Sequence, residues 1–206
     1  MRRGLFVFAI VVCCLALTGT GRALAADDDG VRAGKFISSL ADKAIAALTE
    51  PSVSREERKT RFRVLLNEHF AVDTIGRWVL GRHWSEATES EQKEYLDLFE
   101  TLIVATYVDR FNSYSGEKLT VDGTVPATGG DLLVNSRITR PVGGDPLDVG
   151  WRVRSRDGQF KIVDVIVAGV SMGQTQRSEF SSVIRRSGGK VEGLLAKLRE
   201  DLKKGA

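Results

Sequence analysis

The 206-residue sequence predicts an α+β fold: a four-stranded antiparallel sheet with N- and C-terminal helices packed around it. Three observations carry this. Apolar residues recur at helical spacing from Val31 to about Ser113. From Leu119 to Val167 they alternate with period two, in four runs separated by short turns rich in Pro and Gly. From Thr175 to Leu202 the helical spacing returns. Helices and strands bury residues at different periods, so each change of period marks a change of element. Turns this short join neighbouring strands as an antiparallel meander, and helices set apart from strands along the chain belong to an α+β architecture.

The chain starts with Arg2 and Arg3, an uncharged apolar run Leu5–Leu17, and Ala23-Leu24-Ala25, a small-x-small cleavage pattern. This is the layout of a secretory signal peptide over residues 1–25, cleaved near Ala25. The apolar run is shorter than the roughly 20 residues a membrane-spanning helix needs. Both cysteines, Cys13 and Cys14, fall inside the signal peptide, so residues 26–206 have no disulfide, thiolate or Cys–metal chemistry. Of the 30 basic residues, Arg2, Arg3 and Arg22 fall there too, and the 27 that remain balance 27 acidic ones. That neutrality favours neither nucleic acid nor a basic membrane-binding surface. Residues 26–206 suit one domain with room for two lobes, in an oxidising compartment such as a bacterial periplasm.

Residues 26–30 read as a frayed polar leader. Val31–Leu48 then carries Phe36, Ile37, Leu40, Ala44, Ile45 and Leu48 at helical spacing and stops at Glu50-Pro51. Ser54-x-x-Glu57 is a capping box that opens a helix with Phe62, Leu65, Leu66, His69 and Phe70 on one side. Asp73 is placed to cap a short helix that ends at Gly81. A second capping box, Thr88-x-x-Glu91, opens the longest helix, about residues 89–113. Its apolar residues, Tyr95 to Phe111, cover more than the single stripe of a surface helix. It is expected to be buried on two sides, or to pack on one and line a cavity with the other.

The strands are read at residues 119–125, 132–139, 147–154 and 160–167. In the third, Leu147, Val149, Trp151 and Val153 alternate with Asp148, Arg152 and Arg154. Asp157-Gly158 before the fourth strand is a hairpin signal. The fourth, Phe160–Val167, is apolar except at Lys161 and Asp164, so both of its faces are expected to be covered. It exits through Ala168-Gly169-Val170-Ser171 directly into a helix, and Gly188-Gly189 separates the last two helices.

Reactive chemistry is sparse. The chain has two histidines. His69 falls on the apolar side of its helix, a core-edge or capping place. His83 lies in the loop Gly81-Arg82-His83-Trp84 with no nucleophile or orienting signature beside it. P-loop, dinucleotide fingerprint and His-Glu-x-x-His patterns are all missing from the sequence. No catalytic residue, metal or cofactor is expected. A buried Asp164 needs a partner. It is either an ion pair with Arg152, Arg154 or Arg177, or a polar group at the mouth of a cavity. The apolar residues of the long helix and of the inward sheet face fit a dry core and an acyl-chain cavity equally well.

Several ordered motifs resemble the MlaC family of periplasmic phospholipid-binding proteins, also called toluene-tolerance proteins. They are Phe70-x-x-Asp73-x-Ile75, Val79-Leu80-Gly81-Arg82-x-Trp84, Ala87-Thr88-x-x-Glu91-Gln92, Tyr107 after Thr106, and Tyr114-x-Gly116-Glu117. Asp164-Val165, Gly169-Val170-Ser171 and Gln176-Arg177-x-x-Phe180 follow; the family's form of the last is closer to Tyr-Arg. The resemblance covers about residues 35–200. It implies a curved sheet with helices clasping an apolar pocket, and a soluble, monomeric shuttle that preserves outer-membrane lipid asymmetry. The partners it implies are an inner-membrane ABC transporter with an MCE-domain ring and an outer-membrane lipoprotein–porin complex. The ligand is phospholipid, or a hopanoid in a related branch; an envelope adaptor with a filled core is the alternative of another class. Spacing, alternation and resemblance together place Leu80, Trp84, Phe99, Ile103, Tyr107 and Phe111 on the helical wall of the pocket. They place Val134, Ile138, Val149, Trp151, Val163, Val165 and Val167 on the sheet wall, and Val170 and Met172 beyond it. The loop Gly81–Trp84 and the helix after Ser171 are expected to border the mouth.

Overall fold

The computed structural model describes residues 21–205, so the apolar run Leu5–Leu17 lies outside the described residues. The helices before the sheet are α1 (Gly21–Leu48), α2 (Arg55–His69), α3 (Val72–Leu80), the single turn α4 (His83–Glu86) and α5 (Glu89–Val108). A 3-10 turn, Asp109–Ser113, continues α5. The strands are β1 (Lys118–Pro126), β2 (Leu132–Thr139), β3 (Leu147–Arg156), β4 (Gln159–Val167) and β5 (Val170–Ser171). Helices α6 (Met172–Arg186) and α7 (Val191–Lys203) close the chain. The α+β class and the antiparallel meander are as read from the sequence. Two helical details differ. Residues 26–30 continue α1 rather than fraying. Ala71, not Asp73, is the N-cap of α3, and Asp73 sits in its first turn, where a carboxylate suits the helix dipole.

The sheet has five strands in the order β1-β2-β3-β4-β5, against the four expected. The fifth is a tight return. Ala168 and Gly169 both have positive φ, 48° and 80°, and fold Val170-Ser171 back onto Val167-Ile166. Turns with two positive-φ residues match the twist of antiparallel strands. The sheet is bent by bulges in β1 and β4. In β4, Ile162 stands opposite Val153 and Asp164 opposite Arg152, which leaves Val163 as the extra residue. Ile162 therefore takes the buried inner position that strict alternation assigns to Val163.

Two apolar clusters result. The helical one is built on Leu80, Tyr95, Phe99, Phe180, Ile184 and Leu195, from α3, α5, α6 and α7. Its ring system is Tyr95 stacked on Phe99 at 5.7 Å, with Phe180 edge-on to Tyr95 at 6.1 Å. The Tyr95 hydroxyl donates to the Gly76 carbonyl at 3.0 Å, so the buried phenol is satisfied. Helix α5 is buried on more than one side, by α2, α3 and α7, as its wide apolar surface requires. The second cluster packs Ala33, Ile37 and Leu40 of α1 onto Val134, Val153 and Ile162 of the sheet. Phe70 packs against both clusters.

The outward face of β3 is anchored by Asp131, which is 2% exposed. It accepts from Arg152 Nε at 2.8 Å and from Arg154 Nε and Nη2 at 2.7 and 3.0 Å. Burial alone pushes the Asp131 carboxyl up; the hydrogen bonds from Arg154 and Arg152 outweigh it and hold it below its ordinary value. A folded pKa below the unfolded one means stability that is present above the unfolded pKa and lost as pH falls through the folded one. Asp131→Asn is therefore expected to cost about 1–3 kcal/mol at neutral pH. Urea unfolding across a pH series should show that gap close in acid; a gap independent of pH would refute the ionic account.

Candidate functional site

A cavity of about 290 Å³ opens between the 3-10 turn after α5 and one end of the β2–β3 pair. Phe111, Tyr114, Ile138 and Leu147 give it an apolar lining, and Arg110, Arg140 and Glu117 supply its charges. Ile138 and Leu147 are directly opposed in the β2–β3 register and share the inner sheet face with Val134 and Val149. Phe111 rests against the ring of Phe62 at 5.8 Å. The Tyr114 hydroxyl donates to the Glu117 carbonyl at 3.2 Å. The Glu117 carboxylate accepts from the Ser115 N–H at 2.8 Å, the main reason its pKa lies below the ordinary value.

An apolar band leads away from this cavity along the inner sheet face. It runs from Ile138–Leu147 to the pair Val149–Val167 and on to Trp151–Val165. Val149 is buried, but Trp151, Val165 and Val167 are only half-buried, so the face is not sealed as a finished core would be. The Trp151 indole donates to Ser136 Oγ at 2.9 Å, and that hydroxyl donates to the Val149 carbonyl at 2.9 Å. The polar groups of the band thus find their partners within the sheet.

Of the residues expected to line a pocket, Phe111 and Ile138 line this cavity. Val149, Trp151, Val165 and Val167 form the band. Leu80 and Phe99 are buried in the helical cluster, Trp84 and Ile103 pack against it, and Val134 is buried in the sheet cluster. Val163 and Met172 are half-buried, while Tyr107 and Val170 are 36% and 53% exposed. Helical spacing cannot separate a core wall from a cavity wall, which is why the helical set disperses. Sequence reasoning misses Tyr114, Leu147, Arg110 and Arg140 as lining residues. Leu147 carried a signal, since it alternates with Val149 and Trp151 on one face.

The loop Gly81–Trp84 and α6 border a different cavity. It measures about 270 Å³ and is lined by Leu80, Gly81, Arg82, His83, Arg177, Ser181 and Arg185. His69, the other histidine, is buried on α2 with the Phe36 ring edge-on at 5.7 Å, and burial pushes its pKa down.

Asp164 does not form the ion pair expected of it. Its oxygens are taken by the Ser171 hydroxyl at 2.6 Å, the Val165 N–H at 2.9 Å and the Gly173 N–H at 3.1 Å. Arg152 and Arg154 go to Asp131 instead, and Arg177 donates to the Trp78 carbonyl. Asp164 thereby fixes the start of α6 against β4. Ser171 also caps α6 by accepting from the Gln174 N–H at 3.0 Å. A Cβ at position 173 would stand 2.8 Å from the Trp78 ring and 3.1 Å from the Asp164 carboxylate, so the junction needs glycine there.

The family model for MlaC protein matches residues 38–200. The chain belongs to the MlaC family. A relative in Haemophilus influenzae, the intermembrane phospholipid transport system binding protein MlaC, is 23% identical over 133 residues. That match spans 63% of this chain and 61% of the relative. Among solved structures, the phospholipid-binding protein from Ralstonia solanacearum, in complex with a phospholipid, superposes with a TM-score of 0.70 at 22% identity. The superposition covers 82% of this chain and 95% of that one, and the two share a fold.

Asp164→Ala in this MlaC chain takes this acceptor from a hydroxyl and two N–H groups at the α6 junction. The expected cost is about 1–3 kcal/mol, with faster amide exchange at Gly173 and Gln174. Denaturant melts and hydrogen exchange check this; unchanged stability with altered ligand uptake would support the cavity-mouth role.

Proposed function

We propose that this chain is a soluble phospholipid carrier of the bacterial envelope. The observation that carries the reading is the apolar cavity at Phe111, Ile138 and Leu147, continued by the half-buried band Val149–Val167 and Trp151–Val165. An acyl chain laid along this band replaces water on an incompletely covered apolar face, and each methylene contributes about 0.8 kcal/mol. Arg110 and Arg140 at the same cavity suit an anionic headgroup. The cavity is at the low end of the roughly 300–1,000 Å³ of small-molecule sites. Two acyl chains therefore require the inner sheet face to part from the helices along the band.

The H. influenzae relative's role in intermembrane phospholipid transport and the phospholipid bound by the R. solanacearum protein support this reading. The leader pattern over residues 1–25 supports export to the periplasm, with residues 26–206 as the working domain. On this reading the protein is a monomer that takes lipid from one complex and yields it to another: an MCE-ring ABC transporter in the inner membrane and a lipoprotein–porin complex in the outer. Outer-membrane asymmetry depends on that traffic. The work is binding and release, with no bond made or broken.

Native mass spectrometry of protein purified without added lipid, followed by extraction, is the direct test. A stoichiometric phospholipid adduct is expected. A hopanoid mass would reassign the ligand. A bare mass with no uptake from phospholipid vesicles would overturn the carrier in favour of an adaptor with a filled core.

The wall of the site can be tested separately. Leu147→Trp fills the cavity and is expected to abolish lipid co-purification with little change in melting temperature. Val134→Trp, at a wholly buried position, is expected to cost about 1–3 kcal/mol by overpacking. Lipid binding that survives Leu147→Trp would place the ligand elsewhere.

A further inference from the structure

Arginines in this protein commonly face a carboxylate. Arg55 pairs with Asp109, Arg63 with Glu100, Arg137 with Asp122, and Arg199 with Glu94. The corner where α3, α4 and α6 meet is different. Its 270 Å³ cavity is lined by Arg82, Arg177 and Arg185 together with His83, Ser181 and Gly81. Among the described residues, neither Arg82 nor Arg185 has a carboxylate partner.

Two of the cavity's cationic or titratable groups are held in place by the fold. Arg177 donates to the Trp78 carbonyl at 3.1 Å, and its guanidinium carbon lies 5.4 Å from the Trp78 ring centre. Gly81 has φ +61°, and a Cβ there would stand 2.9–3.2 Å from three guanidinium atoms. The backbone thus gives way to the fork of Arg177. His83 is the second fixed group. It is 5% exposed, with Nδ1 2.6 Å from Glu86 Oε2. That contact makes Nδ1 the donor to the carboxylate, and Nε2 has no protein partner among the described residues. A cavity edged by three guanidinium groups, two of them without a carboxylate partner, is a site prepared for an oxyanion, and the fixed His83 ring stands beside it.

We infer that this corner binds a phosphate group, at a site separate from the apolar cavity. Guanidinium forks match phosphate oxygens in pairs, which suits Arg177 as the fixed fork and Arg82 and Arg185 as exposed arms that close on the ligand. Ser181 adds a hydroxyl donor. The two cavities share no lining residue. Gly81, Arg82 and Arg177, which carry part of the family resemblance, serve this corner and not the apolar cavity. The phosphate is either that of a lipid headgroup or that of a soluble phosphate ester; the chemistry of recognition is the same.

The two histidines make the test direct, because His69 is an internal control. Lipid-free protein is titrated with inorganic phosphate and then with glycerol 3-phosphate, at constant ionic strength in chloride, while the imidazole NMR signals are followed. The His83 signal should move saturably and the His69 signal should not. Arg82→Gln combined with Arg185→Gln should weaken the apparent affinity at least tenfold with an unchanged melt. Arg177→Lys, which keeps the charge and loses the fork, should weaken it as well. No saturable His83 shift, or equal shifts of both histidines, or full affinity in the double variant, would overturn the site. Repeating the titration on protein loaded with phosphatidylglycerol separates the sources. Loss of phosphate binding identifies the lipid headgroup as occupant, and unchanged binding identifies a soluble ester. The first titration involves no acyl chain, so its failure is distinct from failure of the carrier reading.

Discussion

Strand β4 holds the two halves of this protein together, through polar groups on three residues, Lys161, Ile162 and Asp164. The Lys161 ammonium donates to the Asn67 and Glu68 carbonyls at the end of α2, at 2.9 and 2.5 Å. A cation there satisfies carbonyls that the helix itself cannot pair. The Ile162 carbonyl accepts from the Ala71 N–H at 2.9 Å, which fixes the start of α3. Asp164 then takes the N-terminal side of α6, where a carboxylate suits the helix dipole. The bulge at Val163 lies between these tethers, and by resetting the register it lets Ile162 and Asp164 do their separate work. Because both helical segments hang on one strand, the helical cluster and the sheet cluster can each be well packed without merging. That arrangement leaves an apolar seam between them, with Phe70 packed against both sides.

The element order was legible because each period change in the sequence has one structural meaning. The capping box at Thr88–Glu91 forms in full, while at Ser54 only half of the pattern is used: Ser54 accepts from Glu57, whose carboxylate turns to Arg61. Register was less legible. Alternation counts in twos, and a bulge adds one residue with no mark in composition, so Val163 was assigned the place that Ile162 holds. The short strand β5 escaped because two residues are too few to show a period, although Ala168-Gly169 marked the turn. Charge pairing was not legible either. Arg152 and Arg154 are near Asp164 along the sequence and across the β3–β4 ladder, yet Asp131 lies at the head of β2 on their own face and takes both.

The candidate cavity was legible on its sheet wall, and on its helical wall only at Phe111. On a strand, a residue's parity decides its face, so Ile138, Val149, Trp151, Val165 and Val167 come together once one of them is placed inside. On a helix with apolar residues all round, parity gives no such answer. Phe99 and Leu80 then fall into ordinary core, because α6 and α7 arrive late in the chain and cover them. The residues that complete the cavity, Phe111 and Tyr114, stand at the far end of α5 where those helices do not reach.

The incompleteness of the sheet wall bears on what loading costs. Opening a fully packed seam exposes apolar surface at roughly 25 cal/mol per Å² before any ligand is gained. Trp151, Val165 and Val167 are already partly exposed to water, so part of that cost is present in the resting fold. An acyl chain that covers them returns the cost of opening and adds the burial of its own methylenes. The tethers on β4 need not break for this. They sit at residues 161–164, beyond the far end of the band from the cavity at Ile138 and Leu147, where parting would begin. On the carrier reading proposed above, a seam tethered at residues 161–164 would admit a chain by widening from the cavity end, with the clusters on either side left intact.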